Sequence, residues 1–367
     1  MRTDNVIYEP SIHQLDLLVT ERCNFDCVYC FHKQRPMDMT DEILQKAIDM
    51  MADQIHPRVI FNFFGGEPIL MEDFCLKWMH RLRERFPECR FHFTTNGSVY
   101  SERLVNDWLI KEDPIIQISH DGINQARLRG HEELVTGNLK KYIKAVGVDK
   151  VTTRLTFTNE TVGDLMESVE YFYGIGVRRF AHQADITNEW TEENIQEYCR
   201  QLDEIYDFME EHPDLDVVFA NCKKLTVSRV RNRQCSMGRE LVSLTANGEI
   251  FPCHRAVKFP DFKIGDVFTG ELNRGKFPVL NMDGCDKCDA SDFCHQCFLA
   301  NYEQNGSLEE PVESGCSINR YEFKKLSEKN NYVKADFEGS MELCAKAVEV
   351  LTDINSNNTE ILRVINE

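Results

Sequence analysis

From residue 15 to about 211, short β-rich apolar runs alternate with segments whose apolar positions recur at helical spacing. The runs Leu15–Val19, Arg58–Phe63, Arg90–Thr94, Ile115–Ser119, Lys150–Phe157 and Arg178–Gln183 predict strands. Between them, Thr40–Gln54, Leu70–Arg85, Glu102–Lys111, Glu132–Val146, Glu160–Tyr173 and Thr191–Glu211 predict amphipathic helices. Thr40 and Thr191 stand where N-caps belong, with acids in the turn behind them. Six strand–helix units in series imply an α/β fold with a parallel sheet and right-handed crossovers. Full closure takes eight units, so the expectation is an open, partial (β/α)6 barrel of the TIM type. After Asp216 the periodicity gives way to glycine, proline and cysteine, and helical spacing returns only over 321–367. The expected domains are a tail 1–14, the partial barrel 15–215, a small cysteine-rich domain 216–320 and a C-terminal helical cap 321–367.

The chemistry-bearing residues fall at the ends of these strands. Cys23–Cys30 follows the first strand and Gly65-Gly66-Glu67-Pro68 the second. Thr95-Asn96-Gly97 follows the third, and Ser119-His120-Asp121-Gly122 the fourth. Each alone is a good turn. Four on the carboxyl edge of one parallel sheet outline a site, because ligands bind there in such folds.

Composition narrows the class. A net charge of −19 over 367 residues argues against nucleic acid, whose phosphates it repels. The longest apolar runs are strand-sized, so no membrane span is expected, and the polar N-terminus lacks a signal-peptide core. A cytoplasmic protein is the expectation. Residues 185–216 carry twelve acids and one base, Arg200. The ordinary role of such a run is a solvated helix face, the sharper one a landing surface for a basic peptide. Fifteen cysteines in such a chain should be reduced, and they cluster: three over Cys23–Cys30 and eight between Cys222 and Cys316. Clustered reduced cysteines point to metal.

Cys23, Cys27 and Cys30 can wrap one face of a [4Fe–4S] cube and leave one iron open to a non-cysteine ligand. Structural zinc wants four closed ligands, and only His32 is near as a fourth. The C-x3-C-x2-C spacing, with Tyr29 before the last cysteine and GGEP at the next strand end, resembles the radical S-adenosylmethionine (SAM) superfamily over residues 15–211. The resemblance implies that the open iron is chelated by SAM. It also implies that Gly65, Gly66, Glu67 and Pro68 line the methionyl end. Asn96 and the strand end Ser119–Asp121 would then sit beside the ribose and sulfonium. Arg129 and Arg154 are candidate anchors for the SAM carboxylate, with exposed or structural roles as the ordinary alternative.

The second set reads Cys235, Gly248, Cys253, Cys285, Cys288, Cys294, Cys297 and Cys316. Two zinc-ribbon pairs would stand farther apart than the five residues here, and seven thiolates exceed one zinc. The order resembles the SPASM domain, an auxiliary-cluster extension of radical SAM enzymes. One departure is that two residues, not three, separate Cys294 from Cys297. The resemblance implies an inner auxiliary [4Fe–4S] cluster on Cys235, Cys253 and Cys297, and an outer one on Cys285, Cys288, Cys294 and Cys316. Cys222 either completes the inner set or is a core thiol. The basic run Lys223, Lys224, Arg229, Arg231 and Arg233 either offsets cluster charge or faces solvent. His254, next to Cys253, is a candidate for proton transfer, against the commoner structural hydrogen bond.

SPASM members mostly modify peptides or proteins, and auxiliary clusters suit an oxidation. The expected function is a maturase that cross-links a ribosomally made peptide through a thioether, carbon–carbon or ether bond. One alternative is an anaerobic sulfatase-maturing enzyme, which makes formylglycine. Those enzymes resemble one another in an aspartate where this chain has His254. A third class, a non-catalytic iron–sulfur carrier or redox sensor, predicts a degraded SAM site, and the intact strand-end motifs oppose it. The expected partners are a precursor peptide and a flavodoxin- or ferredoxin-type reductant. About fourteen residues precede the first strand, too few for a winged-helix leader-binding domain. A separate leader-recognition protein, or direct binding to the barrel and acidic helix, is therefore expected.

Overall fold

A computed structural model of the chain describes residues 12–111, 115–219, 235–277, 282, 284–291, 294 and 296–329. Cys222, the basic run 223–233, the tail before Ile12 and residues 330–367 lie outside the described residues.

Six strands come in chain order: β1 (Ile12–Thr20), β2 (Ile55–Gly65), β3 (Arg90–Thr95), β4 (Ile115–Ser119), β5 (Val151–Phe157) and β6 (Arg179–Ala184). Each pairs in parallel with the next. The connecting helices include α1 (Asp41–Met51), α2 (Glu72–Arg85), α3 (Glu132–Val146), α4 (Leu165–Gly174) and α5 (Glu192–Glu211). The Thr40 side chain accepts from the Ile43 N–H, and Thr191 forms a capping box with Asn194, so both caps start their helices as the sequence signals. Leu15, Leu17 and Val19 of β1 join the core with Leu44 and Ala47 of α1 and Met79 of α2. Asp16 falls on the opposite face of β1 by the two-residue alternation of a strand.

The sheet extends beyond the six expected strands. A seventh, β7 (Asp216–Phe219), pairs in parallel with β6, so the boundary expected at 215/216 cuts off a strand of the barrel. The cysteine-rich region then adds β8 (Leu241–Leu244), parallel to the other side of β1. It continues antiparallel through β9 (Glu249–Phe251), β10 (Gly265–Asp266) and β11 (Glu271–Leu272). The order is β11-β10-β9-β8-β1-β2-β3-β4-β5-β6-β7, an open sheet. The two regions thus share one sheet rather than standing apart, and β1 starts at Ile12, inside the expected tail.

Two helices close the described chain, α6 (Phe298–Asn305) and α7 (Glu313–Lys329). The Tyr321 hydroxyl donates to Asp203 at 2.9 Å and Lys325 pairs with the same carboxylate at 2.7 Å. Arg200 pairs with Glu197 and Glu204. The acidic helix α5 is thus partly engaged by α7 and by its own arginine. Instead of one helix over Glu102–Lys111, a single turn (Glu102–Leu104) runs into a π-helical segment (Val105–Leu109).

Candidate active site at the carboxyl edge of the sheet

The Cys23–Cys30 loop leaves the end of β1 and is fastened by three neighbouring strand ends. On the β2 side, Gly66 N donates to Thr20 O at 2.7 Å and Glu67 N to Arg22 O at 2.8 Å. A Cβ on Gly66 would stand 2.1 Å from Arg22 O, and one on Gly65 (φ +133°) 2.5 Å from Thr20 O. The two glycines therefore let the loop lie directly on the strand end. Glu67 is fully buried and accepts from Ile69 N (3.0 Å), Thr95 Oγ1 (2.7 Å) and Asn96 N (2.6 Å). Burial pushes its carboxyl up to about 7, against three donors that favour the charge. Its carboxylate clasps β2 to β3.

From the end of β3, Asn96 Nδ2 donates to Asn24 Oδ1 at 2.9 Å and lies 3.7 Å from Cys23 Sγ. On the β4 side, Val28 N donates to Leu128 O at 3.0 Å, and the Tyr29 hydroxyl donates to Asp121. Arg129 Nε donates to Asp121 at 2.8 Å, its guanidinium stands over the Tyr29 ring at 5.1 Å, and Nη1 lies 3.9 Å from Cys27 Sγ. Asp121 Oδ1 also accepts from Thr156 N of β5 at 2.9 Å. Of the two candidate arginines, Arg129 is therefore committed to Asp121. Arg154 sits on β5 in register with Ser119 and donates to neutral Gln183 Oε1 at 2.7 Å. Burial, then the neighbouring Arg129, lower its guanidinium to about 10. Among the described residues no carboxylate pairs with it, which suits it to an anionic ligand.

Burial pushes the Cys27 thiol up to about 11 although Arg129 opposes the rise, and Cys30 and Cys23 add to it. The three thiols thus share one electrostatic neighbourhood with Asn96 and Arg129 donors beside the sulfurs, which fits an iron–sulfur cube. Among the described residues no three His, Cys, Asp or Glu groups converge on a single metal ion.

The C-terminal cysteines fall into two neighbourhoods. Burial raises the Cys253 thiol, and Cys235 and Cys297 are the sulfurs that raise it further. Burial pushes Cys294 up to about 12, and its neighbours are Cys316, Cys285 and Cys288. The Cys316 thiol donates to Gln296 Oε1 at 3.2 Å.

Residues 17–202 match the radical SAM superfamily, half of the chain. The chain belongs to the radical SAM superfamily. It is therefore an enzyme, and carriage of electrons alone drops out. It is 24% identical over 292 residues to an uncharacterized protein of Methanocaldococcus jannaschii, covering 74% of this chain and 93% of that one. It is 28% identical over 161 residues to the GTP 3′,8-cyclase of Actinobacillus pleuropneumoniae, where the match covers 40% of this chain and 44% of the cyclase. The chain thus spans less than half of that cyclase's length. The solved structure of anSMEcpe with bound AdoMet matches with a TM-score of 0.69 at 17% identity, over 92% of this chain and 98% of that one. Streptococcus suis SuiB bound to precursor peptide SuiA matches with a TM-score of 0.64 at 15% identity, over 84% and 76%. Both likenesses run through the SPASM-like region as well as the barrel.

One feature of this radical SAM barrel escaped the sequence reading. Asp16, in the middle of β1, is fully buried and stands in register with Asn62 of β2 and Ser243 of β8. Asn62 Nδ2 donates to it at 2.9 Å, Ser243 Oγ at 3.3 Å, and Thr94 Oγ1 of β3 continues the row to Asn62 at 3.3 Å. His254 Nδ1 meets the same carboxylate at 2.8 Å. Burial raises the Asp16 pKa, but the hydrogen bonds it takes from His254, Gln14 and Asn62 hold it below its ordinary value. The signal was present as a lone acid inside an apolar run.

Proposed function

We propose that this chain is a peptide maturase that oxidises a residue of a ribosomally made precursor and closes a thioether, carbon–carbon or ether cross-link. When bound, the [4Fe–4S] cluster with SAM would supply radical chemistry for removing a hydrogen atom, and auxiliary clusters would supply an electron acceptor for the oxidation. Cys23, Cys27 and Cys30 would hold the first cluster. Cys235, Cys253 and Cys297, with Cys222 as a candidate fourth ligand, would hold the inner auxiliary one. Cys285, Cys288, Cys294 and Cys316 would hold the outer one. The observation that carries this reading is the likeness, through barrel and cysteine-rich region, to SuiB bound to a precursor peptide. The charge interactions of Cys253 with Cys235 and Cys297, and of Cys294 with Cys316, Cys285 and Cys288, support two auxiliary clusters. Arg154 binds the SAM carboxylate, Asn96 and Ser119 position the nucleoside end, and Tyr29 with Asp121 holds the loop in place. His254 stands between the two cysteine regions as the candidate for proton transfer. Peptides bound in two of the similar structures support a peptide substrate.

Formylglycine formation on a sulfatase is the second reading. It is favoured by the nearly complete overlap with anSMEcpe, 98% of that chain against 76% of SuiB. Under either reading the reductant is a flavodoxin- or ferredoxin-type protein, the leader is recognised by the barrel or a separate protein, and the site of action is the cytoplasm. Among the described residues no helix is long and apolar enough to cross a membrane.

The test is anaerobic reconstitution, iron counting, and mass spectrometry of candidate peptides after reduction with SAM. About twelve irons per chain and a peptide lighter by two hydrogens with a new side-chain bond support the maturase. A carbonyl product that reacts with hydrazide, with sulfur lost from a cysteine substrate, supports the second reading. SAM cleavage at about four irons overturns both auxiliary clusters.

A further inference from the structure

We propose that Asp16 is a positioning residue: it fixes His254 in its Nδ1–H form, so that Nε2 is offered to the substrate as a hydrogen-bond acceptor. The group accepted would be a donor on the reacting residue, a thiol, hydroxyl or amide N–H. The last clause rests on the peptide reading above, and the tautomer does not.

An ionised carboxylate only accepts hydrogen bonds. Asp16 Oδ1 already takes Gln14 Nε2 at 2.8 Å and Asn62 Nδ2 at 2.9 Å, and Oδ2 takes Ser243 Oγ at 3.3 Å. The fourth contact, 2.8 Å to His254 Nδ1, must then carry its proton on the ring. In a neutral imidazole the other nitrogen is an acceptor. The ring's orientation is also set, because Phe64 lies 5.0 Å and Phe31 5.9 Å from it, centroid to centroid. Phe31 follows Cys30 and His254 follows Cys253, so the imidazole bridges the SAM-cluster loop and the auxiliary cysteines. Its side chain is 36% exposed while Asp16 is wholly buried, and among the described residues Nε2 has no partner. A buried carboxylate on the central strand, supported by polar groups from β2 and β8, is a rigid base for aiming one ring nitrogen.

The test reads the tautomer directly. The full chain, reduced and without peptide, is labelled with 15N-histidine, and its ring nitrogens are followed by two-bond proton–nitrogen NMR. The His254→Gln spectrum identifies the signal. An Nδ1–H pattern that shifts toward Nε2–H in Asp16→Asn supports the proposal, because the new amide can donate to Nδ1. An Nε2–H pattern or protons on both ring nitrogens in the parent chain, or an Nδ1–H pattern that stays unchanged in Asp16→Asn, overturns it. In reconstituted enzyme, Asp16→Asn and His254→Gln should both lower product per 5′-deoxyadenosine by about tenfold. His254→Gln alters a partly exposed ring, so it keeps this arm decisive if Asp16→Asn folds poorly. An unchanged ratio with a fixed tautomer removes the substrate role. No product from any peptide in the parent enzyme removes the peptide reading instead, and the NMR result then stands apart from it.

Discussion

Arg129 Nε meets the Asp121 carboxylate at 2.8 Å with side-chain exposures of 10% and 0%, and the Tyr29 hydroxyl donates to the same carboxylate. A residue of the cysteine loop, the end of β4 and the turn after it are thus joined through one buried anion. Removing one partner leaves the other charge buried and unpaired, which costs about 3–5 kcal/mol. Arg129→Leu should therefore lower the urea stability of the metal-free chain by that order. Arg127→Leu, at an exposed ion pair with Glu160, should change it by less than about 1 kcal/mol. Equal midpoint shifts for the two variants would rule out the buried pair.

Gly66 and Gly137 make opposite predictions for the same substitution. At Gly66 a Cβ would stand 2.1 Å from Arg22 O and 2.6 Å from its carbonyl carbon, so the cysteine loop must move. At Gly137, inside α3, a Cβ meets nothing within 4 Å. Gly66→Ala should destabilise the chain by about 1–3 kcal/mol and lower iron retained on Cys23–Cys30. Gly137→Ala should stabilise it by about 0.5–1 kcal/mol through helix propensity. Thermal midpoints and iron content check both.

Glu67 predicts a pH dependence. Its carboxyl stands at about 7 in the fold against an ordinary 4.5, because burial disfavours the charge. A raised folded value means that its contribution is fully present below about 4.5 and is lost as pH rises to about 7. The loss is at most about 3 kcal/mol, the equivalent of that gap. Other carboxylates titrate over the same range, so the difference between parent and Glu67→Gln is the readout. The variant should be less stable at pH 4.5, since an amide sets a donor against the Asn96 N–H, and that deficit should narrow by pH 7. A constant difference would show that Glu67 does not titrate there.

Much of this was legible from sequence, for physical reasons. Parallel strands buried on both faces read as continuous apolar runs, and the turn residues after β2 and β3 mark their ends. Cysteine spacing placed the loop that the structure fastens with Tyr29, Gly66 and Asn96. What stayed hidden depends on contacts across long separations. Asp16 meets a histidine 238 residues away, and only its oddity within Leu15–Val19 hinted at a partner. Strand β7 is four residues long, too short for periodicity to tell from a loop. The segment after Glu102 has helical spacing, yet its Ile110 N–H reaches Val105 O, a five-residue step that periodicity cannot resolve.

Arg129 and Arg154 were equivalent as letters, and geometry separates them. Arg129 has Asp121, whereas Arg154 has neutral Gln183 and the repulsion of Arg129. A guanidinium held this way costs the free chain stability and favours an anion that binds beside it. Arg154→Met should therefore do two things at once. The metal-free, SAM-free chain should become as stable as the parent or more so, because an unpaired charge has been removed. SAM affinity in the reconstituted enzyme should fall about tenfold to a hundredfold, the worth of a charge-assisted bond of about 1.5–3 kcal/mol. Urea denaturation of the free chain and equilibrium dialysis of SAM measure the two effects separately. A large loss of stability would mean that Arg154 is already paired in the fold, and unchanged affinity would remove it from the SAM site.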